Sequence, residues 1–136
     1  MIGSVQCVVL DCPDVSALAN FYQAVLGGVV NQPDARWSTG ADFATLHAAG
    51  GIVLAFQRVS NFLAPDWPDP TRPQQLHLDI DVAEPDEAHE RVVSLGARLL
   101  REEPRGWRIY ADPAGHPFCL IPARQLTQTE PVDNGD

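Results

Sequence analysis

Several features that define whole classes of protein are missing from this sequence. No apolar run approaches the ~20 residues of a membrane span. No leader segment, with basic residues followed by an apolar stretch, precedes the first predicted strand. No basic stripe is present either, since 9 Lys and Arg residues face 18 Asp and Glu residues and the net charge is -9. Binding to nucleic acids requires such a stripe. We therefore expect neither nucleic-acid nor membrane partners.

Cysteine is scarce as well. Cys7, Cys12 and Cys119 are odd in number and show no close pairing pattern, which argues against a disulfide framework. A chain of 136 residues can bury a sufficient core without disulfides or metal. A phosphate-binding glycine loop, a nucleophile elbow and a Cys-x-x-Cys motif are also lacking. These observations predict one domain in a reduced, cytoplasmic environment.

The chain does contain an internal repeat. The segment from Cys7 to Asp14 opens a helical pattern that ends at Gly27, and the segment from His77 to Glu84 opens a second one that ends at Gly96. The two copies are about 70 residues apart. A duplicated strand–helix unit predicts two similar half-domains, and the groove between them is the natural place for a small-molecule ligand.

The repeat can be translated into elements. The first helix is predicted over Val15–Leu26, with Asp14 as its N-cap, and the second begins at Pro85, a residue suited to the first helical position. Strands are predicted where apolar residues alternate or cluster between turn signals. The predicted strands are Val5–Cys12, Ala35–Ser38, Phe43–His47, Ile52–Val59, Leu76–Val82, Ala97–Arg101, Trp107–Tyr110 and Phe118–Pro122.

The predicted organisation is one α+β domain over residues 1–136. Module one covers about 4–60, a connector with four prolines covers 61–74, and module two covers about 75–122. Residues 123–136 are polar and form a predicted flexible tail.

Alternation along the strands separates two faces. In module two, Leu78, Ile80 and Val82 form an apolar face, whereas His77 and Asp79 lie on the other side. The apolar face must pack against the helices, so the other faces a concave cup. Matching the two copies places the following residues on the cup side: Cys7, Ala55, His77 and Cys119.

The order βαβββ, given twice, resembles the vicinal oxygen chelate superfamily, which contains glyoxalase I, bleomycin-resistance proteins and extradiol dioxygenases. The segments that carry the resemblance are Val8–Asp14, Phe21-Tyr22 before Leu26-Gly27, Gln75–Asp81, Leu95–Ala97 and Asp112–Phe118. The resemblance implies two βαβββ modules in tandem that form a curled mixed sheet, a cup, with the helices outside. It also implies a homodimer as a further expectation.

The resemblance has a consequence for metal binding. In metal-bearing members of the superfamily, His and Glu ligands come from the first and fourth strands of each module. His77 matches one such histidine, but Cys7, Ala55 and Cys119 stand at or near the other ligand positions. We therefore expect no cofactor. The alternative is a divalent metal (Zn, Ni, Mn or Fe) held by His77, with Cys7 and Cys119 as further donors if the three converge.

Other residues are candidates for ligand contacts. His77 could act as a catalytic base oriented by Asp79, although a hydrogen-bonded cup histidine is the plainer interpretation. Trp37 and Trp107 fall in roughly corresponding predicted strands of the two modules. They could wall an apolar pocket or simply pack in the core or a dimer, and Trp67 could cover the cup mouth. The predicted substrate-binding residues are Cys7, Trp37, Gln57, His77, Asp79, Trp107 and Cys119. We expect His47 and His89 at the surface and a structural role for His116.

Three functions remain open from the sequence. The first is a glyoxalase-like protein that binds a small molecule in the cup without a complete metal site. The second is a metal-dependent lyase, isomerase or dioxygenase of the glyoxalase-like kind, in which the metal acts as a Lewis acid. The third is a metal-independent isomerase or epimerase with His77 or Asp79 as its base.

Overall fold

Two βαβββ modules follow one another along the chain. A computed structural model describes residues 1–123. Module one contains β1 (Val8–Cys12), α1 (Val15–Leu26), β2 (Val29–Val30), β3 (Phe43–His47) and β4 (Val53–Arg58). Module two contains β5 (Leu78–Val82), α2 (Pro85–Ser94), β6 (Arg98–Glu102), β7 (Arg108–Ala111) and β8 (Pro117–Pro122). The predicted α+β fold of tandem modules is confirmed. Apart from residue 123, the predicted tail lies outside the described residues.

Each module forms its own four-stranded mixed sheet. The strand orders are β1-β4-β3-β2 and β5-β8-β7-β6. The pairs β1/β4 and β5/β8 are parallel and all other pairs are antiparallel. Within residues 1–123 no strand pairing joins the two sheets, so the predicted mixed sheet is present as two halves.

Local sequence explains the bounds of α1. The carboxylate of Asp14 accepts a hydrogen bond from the backbone N–H of Ala17 at 3.0 Å, which satisfies one of the donors left free in the first turn. At the other end, Gly27 has a φ of 70°, which glycine adopts without strain. Gly28 also has a positive φ, and a Cβ there would collide with the carbonyl oxygen of His47. Glycine therefore lets the chain turn directly into β2.

The position of β2 corrects the sequence prediction. The strand comprises Val29–Val30, whereas residues 35–38 form no strand. The reason is a local turn: Asp34 accepts a hydrogen bond from the backbone N–H of Arg36, and its carbonyl accepts one from Trp37. An aspartate that bonds backbone N–H groups ahead of it in this way favours a turn over a strand.

One hydrophobic core serves both modules. Leu10, Leu54 and Phe56 of module one and Phe118 and Leu120 of module two are all buried in the same cluster. Burial of apolar side chains of this kind supplies the main favourable term in folding, about 25 cal/mol per Å². The helix that links the modules within this core is α1.

The side chain of Tyr22 lies between the two sheets. Its ring stacks on Phe56 with centroids 6.0 Å apart and meets Phe118 edge-on at 6.4 Å. Phe56 pairs with Leu10 of β1, and Phe118 pairs with Leu78 of β5, so both rings lie on the apolar side of their sheets. The two sheets therefore present equivalent faces to the shared core, and their other faces carry the cup-side residues.

Polar contacts also join the modules. The buried imidazole of His116 donates from Nε2 to the carbonyl oxygen of Asp11 at 2.6 Å, a bond between β1 and the start of β8. This contact agrees with the structural role expected for His116. His89, in contrast, is not a solvated surface residue, because it is half-buried and its Nδ1 lies 2.8 Å from the hydroxyl of buried Tyr110. No helix among residues 1–123 is long and apolar enough to cross a membrane.

Candidate functional site

The side of the module-two sheet that faces away from the core carries a row of side chains in direct register, several of which are polar. Asp79 pairs with Cys119, Cys119 pairs with Ile109, and Ile109 pairs with Arg101 across four adjacent strands. These neighbours project from one face because residues in direct register point the same way. His77 precedes Asp79 by two positions, so it lies on that face as well.

His77 and Asp79 form a loose pair. Nε2 of His77 lies 3.8 Å from Oδ1 of Asp79, which is beyond a hydrogen bond but within ion-pair range. The two side chains are 48% and 55% exposed. Both groups are therefore reachable by a ligand, and neither is committed to a strong internal contact with the other.

Cys119 is held in its protonated form. Burial raises the pKa of its thiol to about 12, and the carboxylates of Asp79 and Glu103 add to this shift. Asp79 accepts a hydrogen bond from the thiol, and loss of that proton would place a second negative charge beside the carboxylate. At neutral pH Cys119 is thus a small, weakly polar wall residue, since the thiolate is the form that attacks and binds metals.

Trp67, in the proline-rich connector, covers this part of the face. It lines a small cavity of about 110 Å³ together with Gln74, His77, Ile109, Pro117 and Cys119. The guanidinium carbon of Arg101 lies 4.7 Å from the centroid of the Trp67 ring, a cation–π arrangement that helps to hold the indole over the sheet. We call this pocket the Trp67 pocket.

Module one has an equivalent face, which carries different side chains. Its central row is Val9, Ala55 and Thr45, paired in register across β1, β4 and β3. Ala55 and Thr45 are fully buried. Cys7 lies two positions before Val9 on this face and is half-buried. Trp37 approaches the same face from the loop after β2, where its ring meets His47 edge-on at 5.4 Å.

Unpartnered polar atoms lie beneath Trp37. Both ring nitrogens of His47 and Oγ1 of Thr45 are buried and have no hydrogen-bond partner among residues 1–123. The expectation that His47 is a surface residue is therefore wrong. The missed signal was its spacing: His47 lies two residues after Thr45 and thus shares the cup-side face of β3.

Charged residues surround Trp37. The guanidinium of Arg36 lies 4.3 Å from the Trp37 ring centroid and bonds Asp34 at 2.6 Å. The hydrogen bonds from Arg36 lower the pKa of Asp34 to about 2. The pKa of Arg36 is raised chiefly by Asp34 and, to a smaller extent, by Cys7. The Trp37 cluster consists of Asp34, Arg36, Trp37 and His47, and Cys7 lies near Arg36.

The two remaining predicted contact residues lie elsewhere on these faces. Gln57 is exposed and pairs with Asp11 and Phe43 at the end of the module-one face. Trp107 is half-buried and directly precedes β7, so its module-one counterpart is Phe43. The predicted correspondence between Trp37 and Trp107 is wrong, because Trp37 stands in a turn and not in a strand.

A divalent metal does not fit the donors at the expected ligand positions. Ala55 presents a methyl group where a carboxylate would be needed, and Cys119 keeps its proton. His77 and Cys119 line the Trp67 pocket, and Cys7 does not. Within residues 1–123 no group of three or more His, Cys, Asp or Glu side chains could hold a metal ion. The three donors considered for zinc are thus not brought together.

Comparisons with known proteins place this fold in a family. A family model described as "Glyoxalase-like domain" matches residues 7–121. A search of curated proteins finds no match. Among solved structures, the fosfomycin resistance protein FosX from Mesorhizobium loti is 15% identical, with 88% of this chain and 91% of that chain covered and a TM-score of 0.63.

Two further structures are similar. FosX from Listeria monocytogenes, complexed with Mn(II) and sulfate, is 18% identical, with 90% and 91% of the chains covered and a TM-score of 0.66. A glyoxalase/bleomycin resistance protein/dioxygenase family enzyme from Burkholderia phytofirmans PsJN is 19% identical, with 87% and 97% covered and a TM-score of 0.62. At these identities the likeness concerns the fold alone. Through the match over residues 7–121, the chain belongs to the glyoxalase-like domain family of the vicinal oxygen chelate superfamily.

Proposed function

We propose that this protein is a glyoxalase-like small-molecule-binding protein and that its ligand occupies the Trp67 pocket without the help of a metal ion. The observation that carries the proposal is the convergence of Trp67 from the connector with His77 and Cys119 from the module-two sheet. An aromatic and aliphatic wall with a few polar groups at one end is typical of ligand pockets.

Each part of the pocket has a separate task in this proposal. Trp67, Ile109 and Pro117 supply apolar contact, and the exposed imidazole of His77 offers a donor or acceptor to the ligand. Asp79, beside His77, favours a ligand with a hydroxyl, amine or other donor group. The cavity of about 110 Å³ holds a small compound or one end of a larger one. Cys119 contributes shape and not nucleophilic chemistry.

The metal-dependent alternative has weaker support. It is supported by two similar structures, both of FosX from Listeria monocytogenes complexed with Mn(II), and by the exposed His77–Asp79 pair in this chain. Against it stand the methyl group of Ala55 and the protonated thiol of Cys119 at expected ligand positions. The proposed binding therefore involves no metal ion.

A fluorescence screen tests the proposal. In a Trp37→Phe/Trp107→Phe variant, Trp67 is the sole tryptophan and reports on the pocket. We expect saturable quenching or a blue shift by at least one compound from a library of metabolites and antibiotics. His77→Ala in the same background should weaken that response about tenfold, the loss expected for a hydrogen-bonded contact.

The control is His89→Ala, which removes a histidine of module two that contacts Tyr110 and not the pocket. A response that survives His77→Ala as well as it survives His89→Ala would contradict the assignment of the pocket. Circular dichroism melting of each variant excludes simple unfolding as the cause of a lost signal.

Two expectations accompany this proposal. A homodimer is supported by the free edges of β1 and β5, which are unpaired within the described residues and offer backbone donors and acceptors to another chain. Sedimentation velocity tests whether the protein is a homodimer.

A cytoplasmic location is supported by the cysteines, all three of which are free. Fractionation of cells that produce the protein tests that expectation.

A further inference from the structure

We propose a second site that the proposed function does not use: an oxyanion site between the connector and the outer edge of the module-two sheet. A cavity of about 520 Å³ lies there, lined by the connector, by the start of β6 and by the turn between β7 and β8. Two arginines, Arg72 and Arg98, line it from opposite components, the connector and the sheet.

Arg98 lines this cavity, and its positive charge has no ion-pair partner among residues 1–123. It is the first residue of β6 and its side chain is exposed. No carboxylate lies within ion-pair distance of its guanidinium among residues 1–123. Arg36 and Arg58, in contrast, form ion pairs with Asp34 and Asp42. A guanidinium that lines a cavity and has no ion-pair partner can donate hydrogen bonds to an anionic ligand there.

Arg72 is held in place by the connector itself. Its Nε and Nη2 donate to the carbonyl oxygen of Ala64 at 3.0 and 2.6 Å. A guanidinium has five N–H donors in a planar fork, so about three remain for a ligand. The half-buried side chain is therefore fixed in position without being neutralised, which is the arrangement that favours planar recognition of an oxyanion.

The acidic groups near the cavity leave these charges available. Asp112 is buried and its carboxylate accepts hydrogen bonds from Tyr22 and from the backbone N–H groups of Ala114 and His116. Asp69 accepts from Thr71 and interacts with Arg72 only at longer range. Asp66 lines the rim, is exposed, and opposes an anion there.

The shared chemistry of the ligand is a small oxyanion, either a phosphate or a carboxylate group. The site is separate from the Trp67 pocket. Arg98 pairs with Ala111, Ala111 pairs with Pro117, and His77 lies next to Pro117 across β8. Three strand spacings of about 4.8 Å therefore separate the backbones of His77 and Arg98. Among the described residues, none lines both cavities.

Calorimetry of the full chain with inorganic phosphate, acetate and succinate, each at constant ionic strength, tests the proposal and distinguishes the two ligand classes. We expect saturable binding of at least one of them. Arg98→Gln should raise its dissociation constant about tenfold or more, as expected for the loss of a charge-assisted contact. Asp66→Asn should lower it, because the opposing charge is gone.

Arg91→Gln is the matched control, since it removes the same charge from α2, outside this cavity. His77→Ala separates this proposal from the proposed function, because it should leave oxyanion binding unchanged. Absence of saturable binding for all three anions would overturn the proposal. So would an Arg98→Gln variant that binds as well as Arg91→Gln does. Chemical denaturation of each variant confirms that it is folded.

Discussion

The hydroxyl of Tyr22 donates a 2.6 Å hydrogen bond to Oδ2 of Asp112, a residue 90 positions away in the other module. Both groups are buried. A second hydrogen bond joins the modules, from His116 to the carbonyl oxygen of Asp11. Each module therefore supplies the donor side chain of one of the two bonds. The orientation of the two sheets thus depends on a small number of buried polar contacts in addition to the apolar core.

Replacement of Tyr22 by Phe tests the strength of this link. The change removes the hydroxyl, keeps the ring between Phe56 and Phe118, and leaves a buried carboxylate with one partner fewer. We expect a loss of about 1–3 kcal/mol in the free energy of unfolding, measured by urea denaturation. Tyr110→Phe is the control, since its hydroxyl contacts half-buried His89 within one module. A Tyr22→Phe variant no less stable than Tyr110→Phe would contradict the account.

The stability of the protein should also depend on the protonation of Asp112. Burial raises the pKa of this carboxyl above its ordinary value. The folded state therefore binds a proton more tightly than the unfolded state, and the stability contributed by the proton is lost as pH rises through the folded pKa. We expect the wild type to lose stability relative to Asp112→Asn as pH increases above about 4. Denaturation of both proteins from pH 4 to 8 measures the difference, and parallel curves would refute this prediction.

The thiol of Cys119 should be slow to react. Its pKa of about 12 leaves very little thiolate at pH 8, and the side chain is only 9% exposed. Peptide mass spectrometry after iodoacetamide treatment should show Cys7, which is half-buried, modified before Cys119. Asp79→Asn removes a neighbouring charge and should accelerate the alkylation of Cys119. Equal rates for Cys119 in the wild type and in Asp79→Asn would show that the carboxylate does not hold the proton.

Divalent metals should not stabilise the protein through His77. A site with a dissociation constant of ~10 µM would add about 2.7 kcal/mol at 1 mM metal, and this would be visible as a shift in Tm. We expect no such shift that depends on His77 for Mn, Zn, Ni or Fe(II), because Ala55 lacks a donor atom and Cys119 retains its proton. A stabilisation present in the wild type and abolished in His77→Ala, but not in His89→Ala, would support the metal-dependent alternative.

The sequence predicted the regular elements better than the connections between them. The bounds of α1 follow from Asp14 and Gly27, and local signals of this kind need no tertiary information. The strand predicted at residues 35–38 failed because a hydrogen bond from the backbone of Arg36 to Asp34 creates a turn. Alternation on β5 and β8 likewise gave the faces of the sheet, since a period of two is a property of the strand itself.

The surroundings of single side chains were harder to predict. The burial of His47 depends on Trp37, which reaches it from a loop, and the contact of His89 depends on Tyr110 from another strand. The cavity between Arg72 and Arg98 depends on the path of the connector across the sheet edge. These contacts join residues that are distant in the sequence, and no periodic pattern marks them.

The most direct test of the central claim is the mapping of a bound compound by heteronuclear NMR. A compound that responds in the Trp67 fluorescence screen would be titrated into labelled wild-type protein. Our account predicts that the largest shift changes fall on Trp67, His77, Ile109 and Cys119, with little change at His89. Changes confined to the Trp37 cluster, or spread evenly over the chain, would contradict it.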